Sequence, residues 1–422
     1  MTLSLVKLNQ HVTENSRKND GDTLVIDLIK SEEKHFQYFE SITTPIYPMQ
    51  TWNWACQFWC MEKLPFKDHQ AYLISISDAD SGAWIQSIVY QYPWHFNQVF
   101  LTIPRGPINS DNFFSVNPEI QDGLVQKWIE ALQQLVSDTK AVYVRIESTW
   151  DNGQEINLKT GESEKEVAEL KYLLGQKIQS SLPADRINKD VKFLQTPYSR
   201  TISVWEGDLL LAADPNLDQD FAIYSDKYFE GVIQSFESKT RYNARLGKKK
   251  GLTVKWSKTD EFFQHFWKVM QETSQRQHFV PYRREYYYNV FQNKWADLAL
   301  VFTPEGEVTN AWMGSFIAGM GMYLYGGSRV EFGALKGAEL IHTSAIIRTI
   351  QAGYKYYDMG GTSLLDGAIP GWDGYSKFKK GFGGKIVDYL PHTYDYVVRP
   401  RIYQAVNLAV ETAKRTRSII PR

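Results

Sequence analysis

The chain has 422 residues and a formal net charge of −1, and 43% of its residues are hydrophobic and 14% aromatic. This length predicts two domains rather than one core, and the composition excludes an intrinsically disordered protein. The balanced charge excludes the protein-wide positive field of a histone-like nucleic-acid binder, so any contact with nucleic acid has to come from a local patch.

The N-terminal segment carries none of the signals of secretion. Residues 1–22 are polar and have no sustained apolar run, which indicates no signal peptide. The two cysteines, Cys56 and Cys60, stand four residues apart in a Trp-rich helix expected over Met49–Trp59, and no further Cys or His completes a metal set. We interpret them as small buried hydrophobes. Because so few cysteines suit a reducing compartment, we expect a cytoplasmic protein.

The first half of the chain has the pattern of a mixed α+β domain. Alternating apolar and polar residues predict three strands, and a fourth strand follows an amphipathic helix. The strands are expected at Ala71–Ile76, Ala83–Tyr90, Val99–Ile103 and Val142–Ile146, and the helix over Gln121–Ser137. The third strand leads into a stiff turn, Pro104–Pro107, that carries Arg105. Residues 151–190 are charge-rich and mark the first candidate boundary between domains.

The second half repeats this mixture of strands and helices. Helices are expected over Tyr228–Lys250, Glu261–Glu272, Arg284–Phe291 and Ala338–Gln351, and strands at Arg200–Val204, Leu298–Phe302, Ala311–Ile317 and Gly321–Tyr325. A further short strand, KYYDMGG, follows the last helix. The uncharged stretch Val308–Ser328 contains five glycines and aromatics at nearly alternate positions. This pattern predicts two strands around a glycine turn rather than a membrane helix, so any membrane role has to be peripheral.

A strongly basic helix is the first candidate binding site. Six of the twelve residues from Lys239 to Lys250 are positive and none is acidic. Arg241 and Arg245 lie one turn apart on one helical face, where guanidinium groups can bind phosphate with bidentate geometry. The alternative is a basic last turn that complements the helix dipole beside a solvated face. Charge alone leaves both interpretations open.

The stretch from Tyr357 to Gly384 is the most informative part of the chain. The short strand KYYDMGG contains Asp358 and Gly360, and lysines interleaved with aromatics follow after a Gly/Pro-rich loop. Glycine lets a backbone come close to a ligand, and a lysine between aromatic residues, as Lys379 is after Phe378, can stabilise an oxyanion or protonate a leaving oxygen. An active-site rim and a Gly-rich hairpin with solvated lysines both fit this pattern.

A third candidate is Glu147, which ends a predicted strand. Its carboxylate can serve as a general base or pair with Arg145 nearby in the sequence, and the pairing is favoured. The eight histidines show no metal-ligand spacing, so no metal is expected. The chain also has no G-x-S-x-G or Walker A pattern, and hydrolase and NTPase interpretations are set aside.

Five segments together resemble the FemABX family of peptidoglycan-bridge aminoacyltransferases. These segments span roughly residues 100 to 385. Each is similar to a segment of the family, and the five occur in the same order as in the family. The segments are the turn Ile103–Pro107, the opening of a second domain at Gln195–Pro197 with Arg200 and Thr201, the KTRYN helix from Lys239 to Gly251, the YDMGG strand end at Tyr357–Gly361, and the FKKGFGG segment at Phe378–Gly384.

The resemblance implies two GNAT-like domains with mixed, largely antiparallel sheets, and it implies a reaction. The amine of a precursor stem or bridge peptide attacks the ester of an aminoacyl-tRNA, which is a co-substrate, and no cofactor is needed. By the same resemblance Lys379 stabilises the developing charge or the tRNA terminus and Glu147 lies near the attacking amine. The remaining substrate-binding residues that it implies are Arg241 and Arg245 for precursor phosphate, with Tyr242 and Asn243 beside them, and Arg105, Phe378, Asp358 and Gly360.

The chain departs from many family members in one respect. Between Gly251 and Phe291 there is no room and no heptad run for the long coiled-coil arm, so the chain resembles the smaller, armless members. The acceptor implied is UDP-MurNAc-pentapeptide or lipid II, and a monomer is expected. The domains expected are residues 1–194, residues 195–385, and a C-terminal segment, residues 386–422, that returns to the first domain. The basic end of that segment either packs on domain 1 or touches anionic lipid on the inner face of the membrane.

Two alternatives stay open at this point. The first is a GNAT-type enzyme that uses acyl-CoA on a saccharide or peptide amine, although the loop GALKGA after Arg329 is an imperfect acyl-CoA loop. The second is a non-catalytic paralogue that binds a cell-wall precursor or tRNA. Retention of Lys379 within its Gly-rich segment favours an enzyme.

Overall fold

The chain folds around two mixed β-sheets, each belonging to its own compact unit. Unit 1 comprises Met1–Gly153, Glu166–Pro197 and Tyr389–Arg422, and unit 2 comprises Gln154–Lys165 and Tyr198–Asp388. The structure is a computed structural model, and it describes residues 6–7, 24–25, 48–51, 54–55, 70–147, 154–156, 173–189, 201–206, 226–317, 319–354, 356–362, 373–388 and 393–419. Cys56, Cys60, the segment Gln195–Pro197 and half of residues 151–190 lie outside these ranges.

The sheet of unit 1 has nine strands among the described residues. They are β1 (Val6–Lys7), β2 (Leu24–Val25), β3 (Gln70–Asp78), β4 (Trp84–Trp94), β5 (Gln98–Ile103), β6 (Ile108–Asn109), β7 (Tyr143–Ile146), β9 (Ile187–Asn188) and β17 (Tyr394–Val397). The main path runs β1-β3-β4-β5-β7-β17-β9, with β2 on β3 and β6 on β4. Only β5 and β7 pair in parallel; the other pairs are antiparallel. The meander predicted in this half is confirmed.

The sheet of unit 2 has eight strands in the part of the chain that the structure covers. They are β8 (Gln154–Ile156), β10 (Thr201–Glu206), β11 (Thr253–Trp256), β12 (Ala296–Phe302), β13 (Val308–Ile317), β14 (Met320–Ser328), β15 (Tyr356–Gly361) and β16 (Lys385–Asp388). Their order is β11-β12-β13-β14-β15-β10-β16-β8, and only β14 and β15 are parallel. The uncharged stretch around Gly319 forms the hairpin β13–β14, as its glycines predict.

Helices cover these sheets. They are α1 (Pro118–Thr139), α2 (Leu173–Ser181), α3 (Asp226–Ile233), α4 (Ser238–Lys249), α5 (Asp260–Gln277), α6 (Arg284–Gln292), α7 (Gly337–Gln351), α8 (Asp373–Lys380) and α9 (Pro400–Ile419). In α1, Leu124, Trp128 and Leu135 recur at helical spacing and are buried in the core of unit 1. The Asn117 side chain caps this helix by accepting from the Glu119 amide at 2.9 Å.

One predicted helix is wrong. The segment Tyr228–Lys250 was expected as a single helix, but α3 ends at Ile233 and α4 begins at Ser238. The four residues between them turn the chain, and the Glu237 amide donates to the Gly381 carbonyl at 2.9 Å. The Glu237 amide therefore bonds to a carbonyl that is distant in the sequence, whereas in a continuous helix it would bond to a carbonyl of the preceding turn.

The core of unit 2 is organised around α7. Eleven of its fifteen residues are buried, because the helix packs against α3, α4 and the strands β12 to β15. Leu340, Ile341 and Ile346 belong to one apolar cluster with Trp312 on β13 and Met359 on β15. The helix leads directly into β15, so the end of that strand, with its YDMGG sequence, is held against a rigid core. Among the described residues, no helix is long and apolar enough to cross a membrane.

Candidate active site

The side chain of Lys379 is almost completely buried in unit 2. Residues 373–380 form the helix α8, not the hairpin that was one of the two interpretations, and Lys379 is 1% exposed. Its Nζ donates to the Gly361 carbonyl at 2.8 Å and to the hydroxyl of Tyr375, one helical turn earlier. The same Nζ lies 3.9 Å from the centre of the Tyr375 ring. Its neighbour Lys377 remains exposed, so only one of the two lysines is solvated.

This environment changes the acid–base chemistry of Lys379. Burial lowers its pKa from 10.5 to about 7, and the charge of Asp358 opposes part of that decrease. The lysine therefore exists as a mixture of ammonium and neutral amine near pH 7. A group with a pKa close to the operating pH is suited to donate and accept a proton within one catalytic cycle.

The end of β15 is shaped around this lysine. Asp358 is fully buried, and its Oδ1 accepts from the Gly360 amide at 2.6 Å. Gly360 has a φ of +73°, a conformation that L side chains rarely adopt. A Cβ atom at this position would lie 3.5 Å from the Lys379 Nζ. The strand thus turns at Gly360 and presents the Gly361 carbonyl to the lysine.

A second layer of aromatic groups surrounds the lysine. The ring of Tyr323 on β14 lies 5.9 Å from the Lys379 Nζ and 4.8 Å from the buried imidazole of His342. Phe378 contacts the same imidazole, with ring centres 5.6 Å apart, and packs against Phe382. Phe378 is thus a wall of the lysine site.

His342 is held neutral. Its Nδ1 lies 2.8 Å from the Tyr357 hydroxyl, which also accepts from the indole N–H of Trp312 at 2.9 Å. Because an indole can only donate, the tyrosine proton is available for Nδ1. Burial, and to a smaller degree the charge of Lys379, lower the pKa of His342 to about 3. The imidazole adds no competing positive charge beside the lysine at neutral pH.

The basic helix α4 presents its predicted site residues in different ways. Tyr242 is 63% exposed, and Arg241 is half-buried with its Nη1 3.3 Å from the Gln234 carbonyl. Arg245 forms an exposed ion pair with Glu230. These residues face outward, where a ligand can reach them.

Asn243 faces the opposite way. It is buried, and its Nδ2 donates to the Glu339 Oε1 at 2.7 Å, which connects α4 to α7. A side chain engaged in this way contributes to helix packing. Lys239, Arg241 and Tyr242 are the members of the KTRYN sequence that remain available on the surface.

A glycine turn fixes α4 to the helix that carries the lysine. A Cβ on Gly381 would lie 2.2 Å from the Thr240 Oγ1, and one on Gly383 would lie 1.9 Å from the Ser235 carbonyl oxygen. Gly383 also has a φ of +74°. Only glycines allow this approach, so the segment after Lys379 and the N-terminal turn of α4 form one rigid region.

The other predicted residues, Arg105 and Glu147, lie in unit 1. Both are buried, at 3% and 2% exposed. The Gly106 amide donates to the Glu147 carbonyl at 3.0 Å, so the turn that carries Arg105 lies against the end of β7. Gln50 holds the turn from the other side by donating to the Pro104 carbonyl at 2.7 Å. The turn and the strand end are thus brought together within this unit.

The pairing of Glu147 with Arg145 stays a prediction, and Arg145 also forms a more distant ion pair. Arg145 binds Asp395 on β17 through two hydrogen bonds, at 2.7 and 2.9 Å. The Tyr403 hydroxyl donates to the same carboxylate at 2.7 Å. The charge of Glu147 is the smallest of the influences that raise the pKa of Arg145.

Sequence reasoning missed Tyr375, Tyr323 and His342. Tyr375 could have been found, because it precedes Lys379 by four residues, and on a helix this spacing brings two side chains together. Tyr323 and His342 reach the site only through the pairing of β14 with β15 and the packing of α7, and no local pattern marks them. Within the described ranges, no cluster of His, Cys, Asp or Glu could hold a metal ion.

The chain is similar to known proteins both in sequence and in fold. The model of the FemAB family matches residues 214–304 and 318–411. The crystal structure of FemX matches with a TM-score of 0.64 at 16% identity, over 89% of this chain and 98% of that chain. This likeness confirms the predicted α+β fold with mixed, largely antiparallel sheets.

Other solved structures are more distant. L-PGS from Bacillus licheniformis matches at a TM-score of 0.44 and 12% identity, over 91% of this chain and 96% of that chain. A GCN5-related N-acetyltransferase from Sphaerobacter thermophilus matches at 0.35 and 11% identity, over 78% of this chain and 81% of that chain. No curated protein matches the sequence.

Proposed function

We propose that this chain, which belongs to the FemAB family of acyltransferases, moves an amino acid from aminoacyl-tRNA to the amine of a peptidoglycan precursor. The acceptor amine belongs to the stem or bridge peptide of the precursor. The observation that carries this proposal is Lys379, a buried lysine with a pKa near 7 at the end of the YDMGG strand.

The reaction sets clear requirements for the site. The amine nitrogen attacks the ester carbonyl carbon, a C–N bond forms, and the C–O bond to the terminal ribose breaks. The amine loses one proton and the departing ribose oxygen gains one, so no external acid or base is consumed. Aminolysis of an ester needs positioning, stabilisation of the oxyanion, and transfer of that proton.

Lys379 suits the last two requirements. As an ammonium group it can stabilise the oxyanion, and with its pKa near neutrality it can give a proton to the ribose oxygen. Tyr375 and the Gly361 carbonyl orient the Lys379 side-chain nitrogen through their hydrogen bonds. Asp358 and Gly360 shape the strand end that supplies this carbonyl.

The exposed part of α4 is suited to bind phosphate. Arg241 can bind a precursor phosphate through its guanidinium group, and Tyr242 can stack on a ring or donate a hydrogen bond. Arg245 can contribute once it exchanges Glu230 for the ligand, because this exposed ion pair is weak.

In unit 1, Glu147 is proposed as the acidic residue near the attacking amine, with Arg105 as a substrate contact. The partners proposed are aminoacyl-tRNA and either UDP-MurNAc-pentapeptide or lipid II, with no further cofactor. We propose that the protein acts in the cytoplasm as a monomer.

The test is transfer of label from charged tRNA. The purified chain is mixed with total aminoacyl-tRNA, each amino acid labelled in turn, and with each of the two acceptors separately. Label is expected on one acceptor with the wild-type chain and with Lys377→Ala, the exposed neighbour on the same helix. Label should be lost with Lys379→Ala.

Absence of transfer from every aminoacyl-tRNA would overturn the proposal. Binding of coenzyme A, measured by calorimetry, would then favour an acyl-CoA donor. Absence of both transfer and coenzyme A binding would favour a non-catalytic binding protein.

A further inference from the structure

The loop between α5 and α6 exposes an unusual cluster of apolar side chains. Phe279 is 43% exposed, Val280 95% and Tyr282 51%. Eight large hydrophobic side chains are exposed among the described residues, and three of them fall within these four consecutive positions. Scattered exposed hydrophobics are ordinary, but a contiguous group marks an interaction surface.

The backbone holds this group in place. His278, directly after α5, is in the left-handed conformation with a φ of +56°, and the Phe279 amide donates to the Ser274 carbonyl at 3.2 Å. On the other side, the Tyr282 amide donates to the Tyr287 hydroxyl at 3.3 Å, and the Tyr282 ring lies 4.4 Å from that of Tyr286. The apex around Val280 is therefore a projecting turn anchored at both ends.

The charged residues within the loop and at its two ends, from Arg276 to Arg284, are basic. The nine residues from Arg276 to Arg284 include three arginines and one histidine, and no acidic residue. Arg283 is exposed, while Arg284 lies over the Phe263 ring at 5.2 Å. The nearest acid that follows in the sequence is the exposed Glu285. An apolar tip flanked by cations complements an anionic lipid surface, where the tip enters the interface and arginines meet the headgroups.

We propose that the loop His278–Arg283 is a membrane-contact site that inserts Phe279 and Val280 into the interface of an anionic bilayer. The shape of the apex favours a bilayer over RNA, because an aliphatic valine at the most exposed position cannot stack on a base. This proposal goes beyond the transfer reaction and does not depend on it.

The test is co-sedimentation of the full chain with vesicles. The probes are vesicles of phosphatidylcholine alone and of phosphatidylcholine mixed with phosphatidylglycerol. The wild-type chain is expected to bind the anionic vesicles. Val280→Asp and Arg283→Glu are each expected to weaken that binding by about tenfold, since one removes the inserted group and the other reverses a flanking charge.

Two matched controls carry exposed apolar residues elsewhere. Phe96→Ser changes a side chain that is 70% exposed in unit 1, and Leu408→Ser changes one that is 67% exposed on α9. Both should bind as the wild type does. Failure of the wild-type chain to bind anionic vesicles would overturn the proposal, and so would an equal loss in Leu408→Ser, which would assign the contact to α9. Because no transfer is measured, either result leaves the proposed reaction untouched.

Discussion

Two buried cations, Arg145 in unit 1 and Lys379 in unit 2, are almost equally shielded from solvent but differ in their partners. Arg145 makes two short hydrogen bonds to the carboxylate of Asp395. Burial alone would lower its pKa, but Asp395 more than offsets this and raises it above the usual value. Lys379 has a carbonyl and a phenol as hydrogen-bond partners, and its pKa falls to about 7.

The difference separates a structural charge from a chemical one. A buried ion pair with matched geometry holds its charges at all working pH values and connects two segments of chain. A buried cation with neutral partners costs stability, and it keeps a proton that can leave near pH 7. The comparison predicts that a substitution of Arg145 acts mainly on stability, whereas a substitution of Lys379 acts mainly on turnover.

Loss of Arg145 should have the largest effect on stability. Arg145→Met leaves the Asp395 carboxylate buried without its cation, and should lower the free energy of unfolding by about 3–5 kcal/mol. Urea denaturation measures this. The double variant Arg145→Met/Asp395→Leu should recover most of the loss, and a single variant as stable as the wild type would contradict the structural role.

Loss of Lys379 should act first on turnover. Lys379→Met removes the donor at the proposed oxyanion and leaving group, and kcat for transfer should fall roughly a hundredfold to a thousandfold. Steady-state transfer with labelled aminoacyl-tRNA measures it, with Lys377→Met as the matched control. Retention of kcat with a raised KM would reduce Lys379 to a binding residue.

The same Lys379→Met variant should be more stable than the wild type near pH 7, by ~2 kcal/mol after the lost hydrogen bonds are allowed for. The folded pKa of about 7 lies below the unfolded value of 10.5, so the unfolded state binds more protons between these values. The cost of the buried lysine is complete below pH 7 and disappears as pH rises through this window. Urea denaturation at pH 7 and pH 10 should therefore show that the variant has lost its stability advantage at pH 10, and a constant difference would contradict the lowered pKa.

Tyr375→Phe tests how the pKa is set. The hydroxyl accepts from the Lys379 ammonium, so its removal disfavours the charged form and lowers the lysine pKa further. The limb of the pH–rate profile that reports Lys379 should move to lower pH by roughly half to one unit. Tyr288→Phe, which changes a hydroxyl bonded to Asp260, is the control and should leave the profile in place. A shift to higher pH would contradict this reasoning.

The smallest effect is expected at Asn243. Because its amide bonds Glu339 between α4 and α7, Asn243→Ala should cost about 1 kcal/mol of stability and leave the KM for the acceptor unchanged. A raised KM at unchanged stability would instead give Asn243 the substrate contact that the sequence resemblance implies.

Local periodicity predicted most of the elements, because strand alternation and helical spacing depend on neighbouring residues. It failed at Gln234–Glu237, where a contact with Gly381 ends one helix and allows the next to begin. The burial of Lys379 could not be predicted from the sequence either, since a lysine on a short polar helix is solvated unless the rest of the fold covers it. The partner of Arg145 could not be found locally either, because Asp395 lies 250 residues further along the chain.

The site showed the same limit. Lys379 and Arg241 were identified from their motifs, but the groups that alter the lysine, Tyr375, Tyr323 and His342, belong to three separate elements. The roles of these three residues depend on distances in the folded structure, which spacing along the sequence does not give.

The position of β17 between β7 and β9 has a consequence for synthesis on the ribosome. The sheet of unit 1 cannot be completed until residues 394–397 have emerged, whereas nearly all of unit 2 is continuous in sequence and precedes them. Domains that are continuous in the chain can fold as they leave the exit tunnel. Unit 2 is therefore expected to reach its native state first, while β7 keeps an open edge that β17 later closes.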